Sequence, residues 1–226
     1  MEKQTNDDEP AGRRLGRPAA LSRGQVLDAA LALFDAHGVG AVTIRGVATA
    51  LGVSPMALYR HVADKDELLL VLVDRLAARL RYPERPQDPR EAILTLWATL
   101  YDGLAQHPWL PEVLARRRLM AASVLDAIEE IHANLIALGL RLDQAVVIYR
   151  IMWQFTLGAL LVRAEAASPG ATVQQQLRGS PDPERHPILA DAASHWTAAQ
   201  SSDTYLVDLT TLLDGLLETG HPTTLT

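Results

Sequence analysis

Residues 43–69 read TIRGVATALGVSPMALYRHVADKDELL. Thr43 is placed to cap a helix in which Ile44, Val47, Ala48 and Leu51 recur at i, i+3, i+4 and i+7. Gly52 ends that helix, because glycine takes the left-handed exit conformation without a Cβ clash. Only Val53 separates it from Ser54, a second N-cap, and from Pro55, whose locked φ suits a first helical position. Leu58 and Val62, four apart, can share an inward face. Two short helices on so tight a turn have the geometry of a helix-turn-helix. The second helix is predicted over about Pro55–His61. Once its core positions are removed, Pro55, Met56, Ala57, Tyr59 and Arg60 are left outside. A solvated helix face normally carries Lys and Glu; small apolar groups, a Tyr and an Arg suit a DNA major groove instead. Met56 or Ala57 can touch a thymine methyl, and Arg60 can reach guanine O6 and N7. Tyr59, His61 and Lys65 can donate to phosphates, as can the backbone amides near Ser54.

The helical pattern extends in both directions. Ser22 with Gln25 makes a capping box, Leu27, Ala30, Leu31 and Phe34 follow at helical spacing, and Gly38 marks a stop. Asp64 and Glu67 start a longer helix, predicted to run to about Arg81. Pro83, Pro86 and Pro89 then mark a boundary. Helical patterns resume at about 89–106, 109–118, 121–138, 143–166, 188–200 and 203–219, with Gly139 ending one and Asp143 capping the next. Residues 168–187 read as a long loop. With no sustained two-residue alternation, the chain is expected to be all-α. The division predicted is a flexible arm over 1–20, a helix-turn-helix DNA-binding domain over 21–66, a connecting helix and Pro-rich linker over 67–87, and a helical ligand-binding and dimerisation domain over 88–226. The arm ends in Arg13, Arg14 and Arg17, which suit either a minor-groove contact or a solvated tail.

Composition sets outer bounds. The 226 residues are 48% hydrophobic, enough for a sizeable core, and carry a net charge of −6. That charge is unevenly spread. Residues 11–81 hold ten basic and six acidic side chains, whereas residues 82–226 hold ten and seventeen. Phosphate contacts need local positive charge, so the basic segment is where DNA is expected. There is no cysteine, which excludes disulfides and thiolate metal sites. The polar N-terminus is not a secretory signal, and Arg, Gln or Asp break the longest apolar stretches before membrane-spanning length. A cytoplasmic protein with no membrane partner is expected. Gly38-Val39-Gly40 follows a helix rather than a strand and lacks a third glycine, so it is no dinucleotide loop. No P-loop, HExxH or GxSxG occurs, and His186, His195 and His221 lack metal-ligand spacing. Neither catalysis nor a metal or cofactor is expected.

Residues 43–69, with SRGQVLDAALALFDAHG before them, resemble the DNA-binding signature of the TetR/AcrR family of regulators over the first third of the chain. The resemblance implies that Arg45 lies on the second helix and reaches a base edge. It also implies that Pro55, Met56, Ala57 and Arg60 face the bases, and that Thr43, Ser54, Tyr59, His61 and Lys65 hold phosphates. Farther on, Trp153-Gln154-Phe155-Thr156-Leu157-Gly158 resembles the eighth helix of the tetracycline-repressor branch. In that branch the eighth and last helices build a dimeric four-helix bundle. The residues read the same way: VVIYRIMWQFTLGALLV is apolar all round, and Leu206, Leu209, Leu213 and Leu216 repeat at near-heptad spacing. Core helices of a monomer would give the same pattern. A seven-residue reading helix supplies little specificity alone, which favours a homodimer on a palindromic double-stranded operator.

The function expected is a ligand-responsive repressor, released when an unknown small-molecule effector tilts the fourth helix and separates the two reading helices. Candidate pocket residues are Trp97, Tyr101, His107, Trp109, Arg116, Met120, His132, Tyr149, Met152, Trp153 and Phe155, which mix large apolar surfaces with directional polar groups. His107 leads among the polar ones, since Pro108 breaks the helix there. Arg116-Arg117-Arg118 reads as a solvated face, with one of the three able to meet an acidic ligand. The sequence after His107 is Pro-Trp-Leu-Pro, where the tetracycline repressors continue a helix, so tetracycline itself is not the effector expected. Two alternatives stand beside this reading: a ligand-independent DNA-binding dimer with no effector pocket, and a helical binding or enzymatic domain whose helix-turn-helix is incidental.

Overall fold

The computed structural model describes residues 21–84, 86–117, 119–166, 182–200 and 204–219. The arm with Arg13, Arg14 and Arg17, Arg118, His221 and most of the predicted 168–187 loop lie outside them. Among the described residues every regular element is helical.

Helix α1 (Arg23–Ala41) opens with the capping box: the Gln25 N–H donates to Ser22 Oγ at 3.2 Å, and the Ser22 N–H to Gln25 Oε1 at 2.9 Å. Gly38 breaks its geometry at φ 70°, as a stop should, but one further turn runs on to Ala41. In α2 (Ile44–Ala50) the Thr43 hydroxyl accepts from Gly46 N at 3.0 Å. Gly52, at φ 66°, makes the turn. Helix α3 (Pro55–Leu58) is shorter than predicted; Tyr59, Arg60 and His61 form the turn after it, closed by His61 N donating to Leu58 O at 2.8 Å. Asp64 Oδ1 accepts from Asp66 N and Glu67 N to cap α4 (Lys65–Ala77), which stops four residues short of Arg81. Then come α5 (Pro89–Ala105), capped by Asp88, and α6 (Leu110–Arg117). A single 3-10 turn (Ala122–Val124) precedes α7 (Leu125–Ala137), so the predicted 121–138 helix starts later than expected. Helices α8 (Leu142–Ala166), α9 (Pro187–Gln200) and α10 (Tyr205–Glu218) complete the order. Asp143 lies inside the first turn of α8 rather than capping it; it is paired with Arg141, which holds its carboxyl below the usual range.

Packing divides the chain differently from the prolines. One core joins the inward faces of α1–α4 to Trp109, to Leu110, Val113 and Leu114 of α6, and to Leu157 of α8. A second joins α5, α7, α8 and α10 around Trp97, Ile131, Met152 and Leu209. Leu104, Val124 and Trp153 pack against both. Helix α6 thus follows the proline linker in sequence but belongs by burial to the first unit. Each Leu or Phe taken fully out of water there contributes about 1.5–3 kcal/mol.

Helix α8 corrects one expectation. From Leu142 to Ala164 it is long and apolar enough to cross a membrane, with mean hydropathy 1.7. Its inward face packs on α5, α6, α7 and α10. Leu142, Val146, Gly158 and Val162 stay exposed, and nothing lies within 4 Å of a Cβ built on Gly158. The heptad reading of α10 is also corrected: Leu209 and Leu213 are fully buried in their own subunit, while Leu206 and Val207 are exposed.

Candidate nucleic-acid interface and ligand cavity

On α3 the inward residue, Leu58, is fully buried, as is Val62 four positions on. The outward side is the reverse. Met56 is 75% exposed and Tyr59 49% exposed, although both are large and apolar enough to have been buried. Thr43, Arg45, Ser54, Pro55 and Arg60 are exposed as well; Ala57, His61 and Lys65 are half-buried. The fold therefore buries none of the ten residues singled out for DNA.

Their hydrogen-bonding state is informative. Among the described residues neither the Arg45 nor the Arg60 guanidinium has an acidic partner. Nearby arginines do: Arg23 with Glu67, Arg75 with Asp28 at 2.6 Å, and Arg117 with Asp66. The Ser54 hydroxyl sits at an N-cap yet makes no capping bond. Thr43 Oγ1 is engaged as an acceptor, which leaves its own proton available. Lys65 departs from the simple phosphate-holding role. Its ammonium donates to Val39 O at the end of α1, and burial first, then the Arg117 charge, lower its pKa. Two N–H groups remain for an outside acceptor.

A cavity of about 470 Å³ lies among α4, α5, α6, α7 and α8. Val73, Leu76, Ala77 and Leu80 of the α4 segment form one wall, and Tyr149, Trp153, Gln154 and Leu157 of α8 form another. Gly103 lets the α4 end close in: a Cβ there would collide with Leu80 Cδ2. Of the eleven pocket candidates, the cavity brings together Met120, Tyr149 and Trp153. The other eight lie elsewhere, each for a physical reason. Trp97 and Met152 are fully buried core. Tyr101 stacks on Tyr205 with ring centroids 3.6 Å apart, and Phe155 packs on the same ring. The Tyr205 hydroxyl is held 2.8 Å from the buried Thr156 hydroxyl, and burial pushes its pKa well up. His132 bonds Ile128 O at 2.7 Å and packs beside Tyr149 without lining the cavity. Sequence reasoning missed the α4 wall because its apolar spacing is that of any core face.

His107 and Trp109 serve a different purpose from the one predicted. His107 Nδ1 lies 2.8 Å from Asp35 Oδ1, and Trp109 Nε1 donates to the same oxygen at 2.7 Å. The Trp109 ring packs on Phe34, centroids 5.1 Å apart. These contacts fasten the α5–α6 corner to the end of α1. Two more fasten α4: Arg117 of α6 pairs with Asp66, and Ser123 N donates to Asp74 Oδ1 at 2.9 Å. Trp109 and Arg116 line a second, more open hollow beside Phe34 and Leu161. Arg116 is paired with Glu112 and points into solvent.

Comparison with known proteins gives independent findings. Residues 26–72 match the bacterial regulatory proteins of the tetR family, and residues 82–219 match the tetracyclin repressor-like C-terminal domain. The chain is 28% identical over 225 residues to the HTH-type transcriptional repressor DrrR1 of Streptomyces coeruleorubidus, covering 91% of this chain and 81% of that one. Among solved structures it resembles ActR of Streptomyces coelicolor in complex with actinorhodin, with a TM-score of 0.76, 24% identity, and coverage of 89% and 97%. It also resembles BioQ bound to its double-stranded DNA operator, with a TM-score of 0.63, 23% identity, and coverage of 88% and 99%. At such identities the structural likeness speaks for the fold.

Proposed function

The chain belongs to the tetR family of bacterial regulatory proteins, and on that premise we propose that it is a cytoplasmic, non-enzymatic repressor. It grips a palindromic operator as a homodimer and lets go when a small molecule fills the α4–α8 cavity. One observation carries the reading: α4 serves both parts at once. Its Leu68, Leu69, Leu72 and Val73 are buried in the core that supports α3, while Val73, Leu76 and Ala77, with Leu80 just past its end, wall the cavity. A ligand that pushes on the second set must move the first.

In this scheme Arg45, Met56, Ala57 and Arg60 read base edges, and Thr43, Ser54, Tyr59 and His61 hold phosphates. The exposed stripe of Leu142, Val146, Gly158 and Val162 on α8, with Leu206 and Val207 on α10, meets its copy in a partner subunit. That pairing sets two α3 helices about one helical turn of DNA apart. Ligand acts by differential affinity. Reversing a 99:1 population takes about 10⁴-fold tighter binding to the released state. The cavity favours this over a ligand-independent dimer, whose second domain has no use for such a void. Support for an effector also comes from the fold neighbour solved with actinorhodin.

The test is a DNA-retention assay on genomic fragments at several salt concentrations, with sedimentation to count subunits. A dimer with affinity falling steeply with salt is expected. Salt-insensitive binding, or a monomer at every concentration, overturns the reading.

A further inference from the structure

The wall of the α4–α8 cavity is divided by chemistry. Its side chains able to make an ordinary hydrogen bond all come from one helix: Tyr149, Trp153 and Gln154 of α8. The other lining residues are Val, Leu, Ile, Ala, Met and Gly, so the α4 side, with Val73, Leu76 and Ala77, offers apolar surface alone. Among the described residues none of the three α8 side chains commits its polar atoms to a hydrogen bond within the protein. Charge is missing from the wall as well: among the described residues no lining side chain is Asp, Glu, Lys, Arg or His. Charged residues flank several lining positions without joining them. Asp74 accepts from Ser123 N, Arg116 pairs with Glu112, and Asp102, Glu129 and Arg150 are exposed. Burial first, then Tyr82, pushes the Tyr149 phenol to about 12, so at neutral pH it too is uncharged. The volume, about 470 Å³, is of the size that takes a drug-sized molecule.

We propose that the effector is an uncharged, mostly apolar molecule, seated with its hydrogen-bonding group on α8 and its apolar body against α4. The proposal rests on the repressor reading, with this cavity as the effector site. An ion entering here would leave water for a wall that offers no opposite charge. A polar group turned towards α4 would lose its hydration and find no partner, whereas on α8 it meets Tyr149, Trp153 or Gln154. The molecule is thereby oriented, and the part that presses on α4 is its hydrocarbon.

Isosteric pairs on one skeleton test this. Phenanthrene-9-carboxamide is set against phenanthrene-9-carboxylate, and 9-(hydroxymethyl)phenanthrene against the 9-(aminomethyl)phenanthrene cation, with phenanthrene as the bare body. Equilibrium dialysis with the full-length protein reads binding, and loss of a retained genomic DNA fragment reads response. Each neutral member should bind at least about a hundredfold tighter than its ionic partner. The carboxamide should bind about tenfold tighter than phenanthrene, a typical worth for a hydrogen bond. The triple variant Tyr149→Phe, Trp153→Phe, Gln154→Leu should erase that tenfold preference and leave phenanthrene bound. The isosteric pairs need no variant, so that comparison stands even if the triple variant fails to fold. Ions that bind as tightly as their neutral partners overturn the uncharged class, and DNA release by those ions would leave the repressor reading standing. A carboxamide preference that survives in the triple variant overturns the seat on α8. Absence of binding by every compound, or binding that Ala77→Phe does not weaken, overturns both the proposal and the cavity as effector site.

Discussion

The α3 surface and the α4–α8 cavity are opposite solutions to recognition. At α3 the chain exposes what it would ordinarily bury: Met56 and Tyr59 stand outward beside Arg45 and Arg60, whose guanidiniums lack acidic partners among the described residues. In the cavity it declines to fill what it would ordinarily pack, and among the described residues the wall carries no charged side chain. In the proposed reading the first surface depends on charge in water, so its strength should answer to salt. The second depends on shape and desolvated contacts, so salt should leave it alone. A molecule holding both can have one partner control the other only if a shared element moves, and in the function proposed above α4 is that element.

The largest effect should come from breaking the support common to both. Leu58→Ala removes a fully buried side chain from the first core and should cost about 2–5 kcal/mol, read in denaturant unfolding. DNA retention should vanish with it. An undiminished unfolding midpoint would mean that α3 is not held from within.

Next comes a change that should separate the two surfaces. Arg45→Ala with Arg60→Ala should lower specific DNA affinity by about 1–3 kcal/mol for each base edge left unread, and relax the sequence preference at those positions. Ligand binding and unfolding should hold to within about 0.5 kcal/mol. Unchanged retention would remove these arginines from the interface.

The converse change is Ala77→Phe, which narrows the cavity from the α4 side. It should weaken ligand binding by about 1–3 kcal/mol, a typical overpacking penalty, and leave operator affinity in place without ligand. Equal weakening of both would mean that the void is not the effector site.

The smallest effect concerns Arg90 and Asp214, which pin α5 to α10 through two bonds of 2.6 and 2.7 Å. The Arg90 guanidinium holds the Asp214 carboxyl below its ordinary value. A carboxylate whose folded pKa is depressed stabilises above its unfolded pKa of about 3.9, and that contribution is lost as pH falls through the folded value. Both groups are partly exposed, so the gain is at most about 1 kcal/mol. Acid unfolding of Asp214→Asn should therefore differ from the parent only slightly. DNA and ligand affinities at neutral pH should not differ at all.

How much of this was legible in the chain depended on the range of the interactions. Caps and turns are local: Ser22 with Gln25, Thr43, Gly52 and Asp64 announce themselves within four residues, and each occupies its predicted place. The outward residues of α3 could be found by elimination on one helix. The ends of α3 and α4 were overestimated because helical spacing outlives helical geometry by a turn. The cavity was only partly legible. Val73 and Leu76 have the same periodicity whether they pack or line a void, so only coordinates separate the two. His107 misled because its partner, Asp35, is 72 residues away, and no local pattern records that bond. Trp97 and Phe155 were aromatic at the right spacing, but facing the wrong way.

The burial of α6 against the first unit has a practical corollary for anyone hoping to transplant the reading head. Cut at the proline linker, the fragment would forfeit Trp109, Leu110, Val113 and Leu114 and turn Phe34 to water. The portable segment is not the stretch that ends before Pro83. It is a discontinuous one that must bring the 109–114 strip along, and grafts that omit it should yield a sticky, half-made head rather than a working one.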